Sequence, residues 1–222
     1  MKLSEIRIDI KNEKQIKKLF LVILFTAILT YIVNEIPDYI NNIKVWRVVT
    51  CVINIVLVVP ALVAYFTDKK KISDLFCKGK FQYFYGILMG IFLFVIVNII
   101  PLAFGINMIG TMYIKNASIF IRMSIFYLLI IGPTEEFIFR VYIQDSLVDL
   151  FGKYKAFAPL VAGALFGVWH LICGNWIQAA ITTVLGCIWG YSKFCVKGCT
   201  YMSIALSHGL YDYLIFLAKF FF

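Results

Sequence analysis

From Phe81 to Phe104 the chain carries no lysine, arginine, histidine, aspartate or glutamate. A bilayer core about 30 Å thick asks for roughly 20 mostly apolar residues per helix, and this stretch supplies them. Further apolar runs at 19–36, 45–66, 117–144, 156–173, 175–192 and 200–222 meet or nearly meet the same length. Lipid offers no partner to a bare N–H or C=O, so such runs cross as helices. With 62% hydrophobic and 15% charged residues, too little polar surface is left to coat a water-soluble globule. The expected fold is all-α: a polytopic transmembrane helical bundle of about seven spans, or eight helices if the fourth run divides into a span and an interfacial helix.

A net charge of +9 invites a nucleic-acid reading until the cations are located. They sit between apolar runs, where anionic headgroups and the orientation rule explain them, so the lipid bilayer is the expected partner and no nucleic acid is expected. One set of loops holds Lys2, Arg7, Lys11, Lys14, Lys17 and Lys18, then Lys69, Lys70, Lys71, Lys78 and Lys80, then Lys153 and Lys155, then Lys193 and Lys197. The opposite set holds only Lys44, Arg47 and Lys115. Basic loops face the cytoplasm, which puts the N-terminus inside and the C-terminus outside an integral membrane protein. The charged head reads as the start of an anchor, not a cleaved signal. Six cysteines contain no CxxC pair and suggest neither a disulfide framework nor a zinc ribbon. No linker or repeat divides the chain, so 1–222 is expected to be one transmembrane helical domain.

Polar residues that lipid should reject are concentrated in the second half. Glu135 and Glu136 are followed by Arg140. Glu136 and Arg140, four apart, share a helix face and can pair, while Glu135 points about 100° away. His170 follows Phe166 by four, and His208 precedes Asp212 by four. A carboxylate beside a histidine can fix its tautomer or support its charged form. Each motif has a plain structural explanation, as an interfacial charge group, a packing histidine or a polar pair that holds helices together. Their coincidence argues otherwise, because every histidine and the only adjacent glutamates fall within apolar runs, and intramembrane ionisable groups are functional by default.

The order EExxxR, FxxxH, HxxxN/D on successive apolar segments resembles the CPBP (CAAX protease and bacteriocin-processing, or Abi) family of intramembrane proteases. The resemblance covers about 117–222, leaving the three N-terminal spans, 19–104, as accessory. It implies that Glu135 and His170 activate a water for attack on a peptide carbonyl, and that His208 and Asp212 line the pocket of the developing oxyanion. Glu136, Arg140 and Phe166 would support them. Two positions depart from the family pattern: Val141 stands where a glycine often follows the arginine, and Asp212 is the acidic variant. An ionised aspartate cannot donate to an oxyanion, so the donor would be an imidazolium at His208 with Asp212 as its counter-charge.

Two histidines and a carboxylate, Glu135, His170 and His208, could also hold zinc, but no HExxH is present and the resemblance favours a reaction without a metal. The implied activity is that of an intramembrane endopeptidase acting on a membrane-anchored peptide or protein. The composition, rich in lysine and poor in arginine, has a bacterial look. A non-enzymatic protein of bacteriocin immunity, or of membrane transport or binding, could use the same polar cluster. Transporters usually show broken helices in two repeated halves, whereas these polar residues occupy only the second half.

Overall fold

The structure, a computed structural model, describes residues 10–35, 49, 52, 55–76, 79–109, 117–172 and 174–221. Lys2, Arg7, Lys44, Arg47, Lys78, Lys115, Cys51, Cys77, Cys173 and most of the first half of the expected second span lie outside them. The regular elements of the described residues are all helical. Helices α1 (Ile10–Glu35) and α2 (Val59–Thr67) come first. Helix α3 starts as Phe81–Phe94, widens into a π-helical stretch at Val95–Ile99 and finishes as Ile100–Ala103. Helix α4 is the longest: Ala117–Phe126, a π stretch Tyr127–Ile131, Gly132–Glu136, a second π stretch Phe137–Gln144, then Asp145–Phe151. After a 3-10 turn at Gly152–Phe157 come α5 (Ala158–His170), α6 (Trp176–Cys195) and α7 (Tyr201–Phe221).

Prolines explain where two of the π stretches fall. Pro133 and Pro101 each lack an N–H and would drive their rings into the carbonyls of Leu129 and Val97. In both helices the turn before the proline is π-helical, at Tyr127–Ile131 and Val95–Ile99, and the wider ring makes the room. Other boundaries follow ordinary rules. Gly152, at φ +52°, ends α4. Pro159 occupies the first turn of α5. The Asn175 side chain accepts from the Gln178 N–H at 3.0 Å and caps α6.

Helix α7 is the spine of the bundle. It runs beside α3 in the same direction and against the middle of α4 in the opposite one, while α5 and α6 form an antiparallel hairpin. Glycines permit the close crossings. A Cβ at Gly86 would come within 2.6 Å of the Ser203 carbonyl, and one at Gly90 within 2.8 Å of the Ser207 carbonyl. A Cβ at Gly132 would stand 2.5 Å from the backbone nitrogen of Gly209. Small residues at helix crossings let backbones approach, which is how helices gain packing contact in lipid.

Large apolar side chains face outward, and a polar cluster lies within the largely apolar core. Phe20, Phe25, Tyr31, Phe84, Phe92 and Leu129 are exposed, whereas Asn98, Glu136, Arg140, Gln144, Ser203, Ser207 and His208 are buried. A water-soluble protein would reverse this arrangement, so the polarity supports lipid as the solvent. Two described helices, Asn12–Val33 and Phe81–Ala103, are long and apolar enough to cross a membrane. The expectation of seven spans is met only to that extent. Helix α5 spans 13 residues, about 20 Å, too short for a full crossing. Helices α4, α6 and α7 carry the polar residues of the site described below, which lowers their hydropathy. Cys187 and Cys195 are free thiols.

Replacing Gly132 by alanine forces a methyl against backbone at the α4–α7 crossing. The expected cost is about 1–3 kcal/mol, read as a lower thermal midpoint of the detergent-purified protein, whereas Leu129→Ala on the exposed face leaves the midpoint nearly unchanged.

Candidate active site

The α4–α7 crossing brings distant charges together. Gly132 lets α4 lie on α7, and one turn later Glu135 and Glu136 meet His208. The δ1 nitrogen of His208 is 2.8 Å from Glu136 Oε1 and, facing a carboxylate, donates to it. Its Nε2 lies 3.4 Å from Asp212 Oδ2 and 3.8 Å from Glu135 Oε2. From α5, His170 Nε2 approaches the same Glu135 oxygen at 4.0 Å.

The tautomer of His170 follows from its other nitrogen. Nδ1 lies 2.8 Å from the Phe166 carbonyl, which can only accept, so Nδ1 carries the proton. In the neutral ring Nε2 is then an acceptor, and it faces Glu135. His170, expected well inside the apolar run 156–173, is the last residue of α5, because the helix ends there. Phe166 packs edge-on against both imidazoles, at 4.5 Å from His170 and 5.8 Å from His208.

Glu136 and Arg140 are both 0% exposed, with Arg140 Nε 3.2 Å from Glu136 Oε2. The angle misses a hydrogen bond and the guanidinium nitrogens have none, so the contact is one of charge. The guanidinium lies over the Phe166 ring, 5.0 Å from its centre, a cation–π contact in a dry site. Gly186 leaves it space, since a Cβ there would stand 3.0 Å from Arg140 Nη2.

Helix spacing reveals the Glu136–Arg140 pair but not what Glu136 does with its other oxygen. Its partner His208 is 72 residues away, and no local pattern announces that contact. Trp189 was equally hidden. Its indole stacks on the His208 ring at 4.3 Å and 21°, and donates to Ser207 Oγ at 2.9 Å. The ring of His208 is thus clamped by a carboxylate at its edge and an indole on its face.

These groups border one cavity of about 600 Å³, whose walls include Glu135, His170, His208, Asp212, Asn98, Tyr127, Trp189 and Tyr211. Asn107, Asn175, Gln178 and Lys219 also line it, at the bundle end where α3, α5 and α7 finish. Helix α3, from the half that sequence reads as accessory, contributes Val97 and Asn98 to the wall. Within the cavity Glu135 Oε2 is buried without a hydrogen bond. An orphan carboxylate oxygen between two imidazoles marks a place for a water or a substrate atom.

Zinc fits poorly. Tetrahedral ligands at about 2.0 Å stand roughly 3.3 Å apart, whereas Glu135 Oε2 is 3.8 and 4.0 Å from the imidazole nitrogens. Among the described residues no group of three or more histidine, cysteine, aspartate or glutamate side chains could hold a metal ion.

Breaking a buried pair leaves an uncompensated charge, at about 3–5 kcal/mol. Arg140→Met is therefore expected to cut the yield of folded, monodisperse protein, and adding Glu136→Gln to restore part of it, as measured by size-exclusion chromatography.

Searches of curated proteins and of solved structures find no match to the chain. A family model does match, over residues 117–214, which contain Glu135, Glu136, Arg140, Phe166, His170, His208 and Asp212. That segment, less than half of the chain, is similar to the Rce1-like family of type II CAAX prenyl endopeptidases, a protease family of membrane-integral proteins.

Proposed function

We propose that this chain is an intramembrane endopeptidase that hydrolyses a peptide bond with a water activated by Glu135 and His170. The observation that carries the reading is the convergence of Glu135 Oε2 on His170 Nε2 and His208 Nε2, at 4.0 and 3.8 Å, inside one cavity. Two acceptors bridged by one water stand roughly 4 to 5 Å apart when each hydrogen bond is about 2.8 Å. The gap between Glu135 and His170 has that size. A water there gives its protons to the carboxylate and the imidazole, leaving its lone pairs for the substrate.

The proposed steps balance without an added reactant. The water oxygen bonds to the carbonyl carbon, the C=O pair moves onto oxygen, and the water proton passes to Glu135. Collapse breaks the C–N bond, and the leaving nitrogen takes that proton from Glu135. His208, as imidazolium between Glu136 and Asp212, faces the developing oxyanion through Nε2–H. Asp212 holds the charge of that ring and donates nothing itself. Glu136 and Arg140 fix the helix and the ring, so their role is positioning.

The substrate in this reading is a membrane-anchored peptide or protein, in keeping with the family description and with a polar cavity set among helices whose outer faces are apolar. The setting is the bacterial cell membrane with the N-terminus cytoplasmic. A role in bacteriocin immunity would then be exercised through cleavage and would depend on Glu135.

With the full chain in proteoliposomes and a pool of quenched fluorescent, lipid-anchored peptides, Glu135→Gln is expected to lower kcat by on the order of 10²–10⁴ while the protein stays folded. The chelator 1,10-phenanthroline leaves the rate of the unmodified protein unchanged. Full activity of Glu135→Gln would sink the mechanism, and loss of activity to the chelator would demand a metal.

A further inference from the structure

The proposed reaction lacks a neutral donor at its oxyanion. Asp212 accepts only, and the Nε2 of His208 faces two carboxylates, Asp212 at 3.4 Å and Glu135 at 3.8 Å. Two further donors beside them are committed: the Trp189 N–H to Ser207 and the His170 Nδ1–H to the Phe166 carbonyl.

Tyr211 and Asn98 stand out against this background. Tyr211 precedes Asp212 on α7 and lies three residues past His208, so at 100° per residue it flanks the His208 face on one side as Asp212 does on the other. It is buried, lines the cavity, and packs edge-on against Trp189 at 6.2 Å. Its phenol oxygen accepts from Asn98 Nδ2 at 3.3 Å. Since that bond occupies an acceptor site, the phenol proton remains to be given elsewhere, and a donated bond to its oxygen makes the O–H a stronger donor.

Asn98 is 1% exposed and lies in the π stretch Val95–Ile99. Such widened turns often occur at functional sites. It also lies outside the matched residues 117–214, so nothing in the family match assigns it a part.

We infer that Tyr211 donates its phenol proton to the carbonyl oxygen under attack, and that Asn98, reaching in from α3, positions and polarises that phenol. The pair supplies the neutral donor that an aspartate at 212 cannot. Tyr211 is then a catalytic residue and Asn98 a positioning residue. The inference rests on the peptidase reading above and adds to it a residue from the N-terminal half.

The test uses the same full chain, proteoliposomes and peptide pool. Tyr211→Phe keeps the ring and removes only the hydroxyl. It is expected to lower kcat by on the order of 10² with KM little changed, as for loss of one oxyanion donor. Asn98→Leu, close in size, lowers kcat less, and the double variant is no worse than Tyr211→Phe alone, because the two act as one unit. If Tyr211→Phe fails to fold, the kcat loss in Asn98→Leu decides. Normal kcat in Tyr211→Phe, an effect confined to KM, or additive losses would overturn the inference. The parent reading is judged separately by Glu135→Gln. Turnover that needs Glu135 but not Tyr211 removes only the donor pair, whereas turnover indifferent to Glu135, or none by the unmodified chain, removes both.

Discussion

Everything in the second half of the molecule depends on one buried carboxylate that serves two partners. Glu136 presents one oxygen to Arg140 and the other to His208, with no exposure of its own or of the arginine. Isolated charges in a low-dielectric interior cost several kcal/mol each. The bundle offsets that cost by grouping them: acid, guanidinium and imidazole, with the Phe166 face under the cation and the Trp189 face on the imidazole. The arrangement ties α4, α5, α6 and α7 to one point. It also leaves Glu135, one residue earlier and rotated by about 100°, facing the cavity without a hydrogen bond at Oε2.

The close crossings are what make that grouping attainable. Side chains reach only a few ångströms, so Glu136 and His208 meet because Gly132 and Gly209 bring the α4 and α7 backbones together. The same logic holds on the opposite side of α7, where Gly86 and Gly90 let α3 lie against Ser203 and Ser207. That second crossing carries Asn98 to the cavity wall. The N-terminal half is thus physically continuous with the site, whatever its contribution to chemistry.

Much of this was legible in the sequence, for a definite reason. Helical periodicity makes contacts at four-residue spacing readable, so Glu136 with Arg140 and His208 with Asp212 could be paired from spacing alone, at 3.2 and 3.4 Å in the structure. Apolar runs announced the helices, and the polar intrusions announced where to look. Contacts between helices leave no such trace. The Glu136–His208 bond, the Trp189 stack and the Asn98–Tyr211 bond join residues 72, 19 and 113 positions apart. Run length misled at α5, where 18 apolar residues at 156–173 contain a 13-residue helix, because a 3-10 turn and Pro159 delay its start and the chain turns after His170. The prolines at 101 and 133 were visible, but the widened turns that absorb them follow from backbone geometry that composition does not encode.

The central claim is that Glu135, His170 and His208 surround a peptide carbonyl as it becomes tetrahedral. The most direct measurement is the position of a tetrahedral phosphonate peptide in an experimental structure of its complex with the full chain. The account predicts the phosphonyl group inside the cavity, one oxygen within hydrogen-bond reach of Glu135 and His170 and another facing His208 and Tyr211. A phosphonate seated elsewhere, or imidazoles turned away from the carboxylate when it binds, would contradict it.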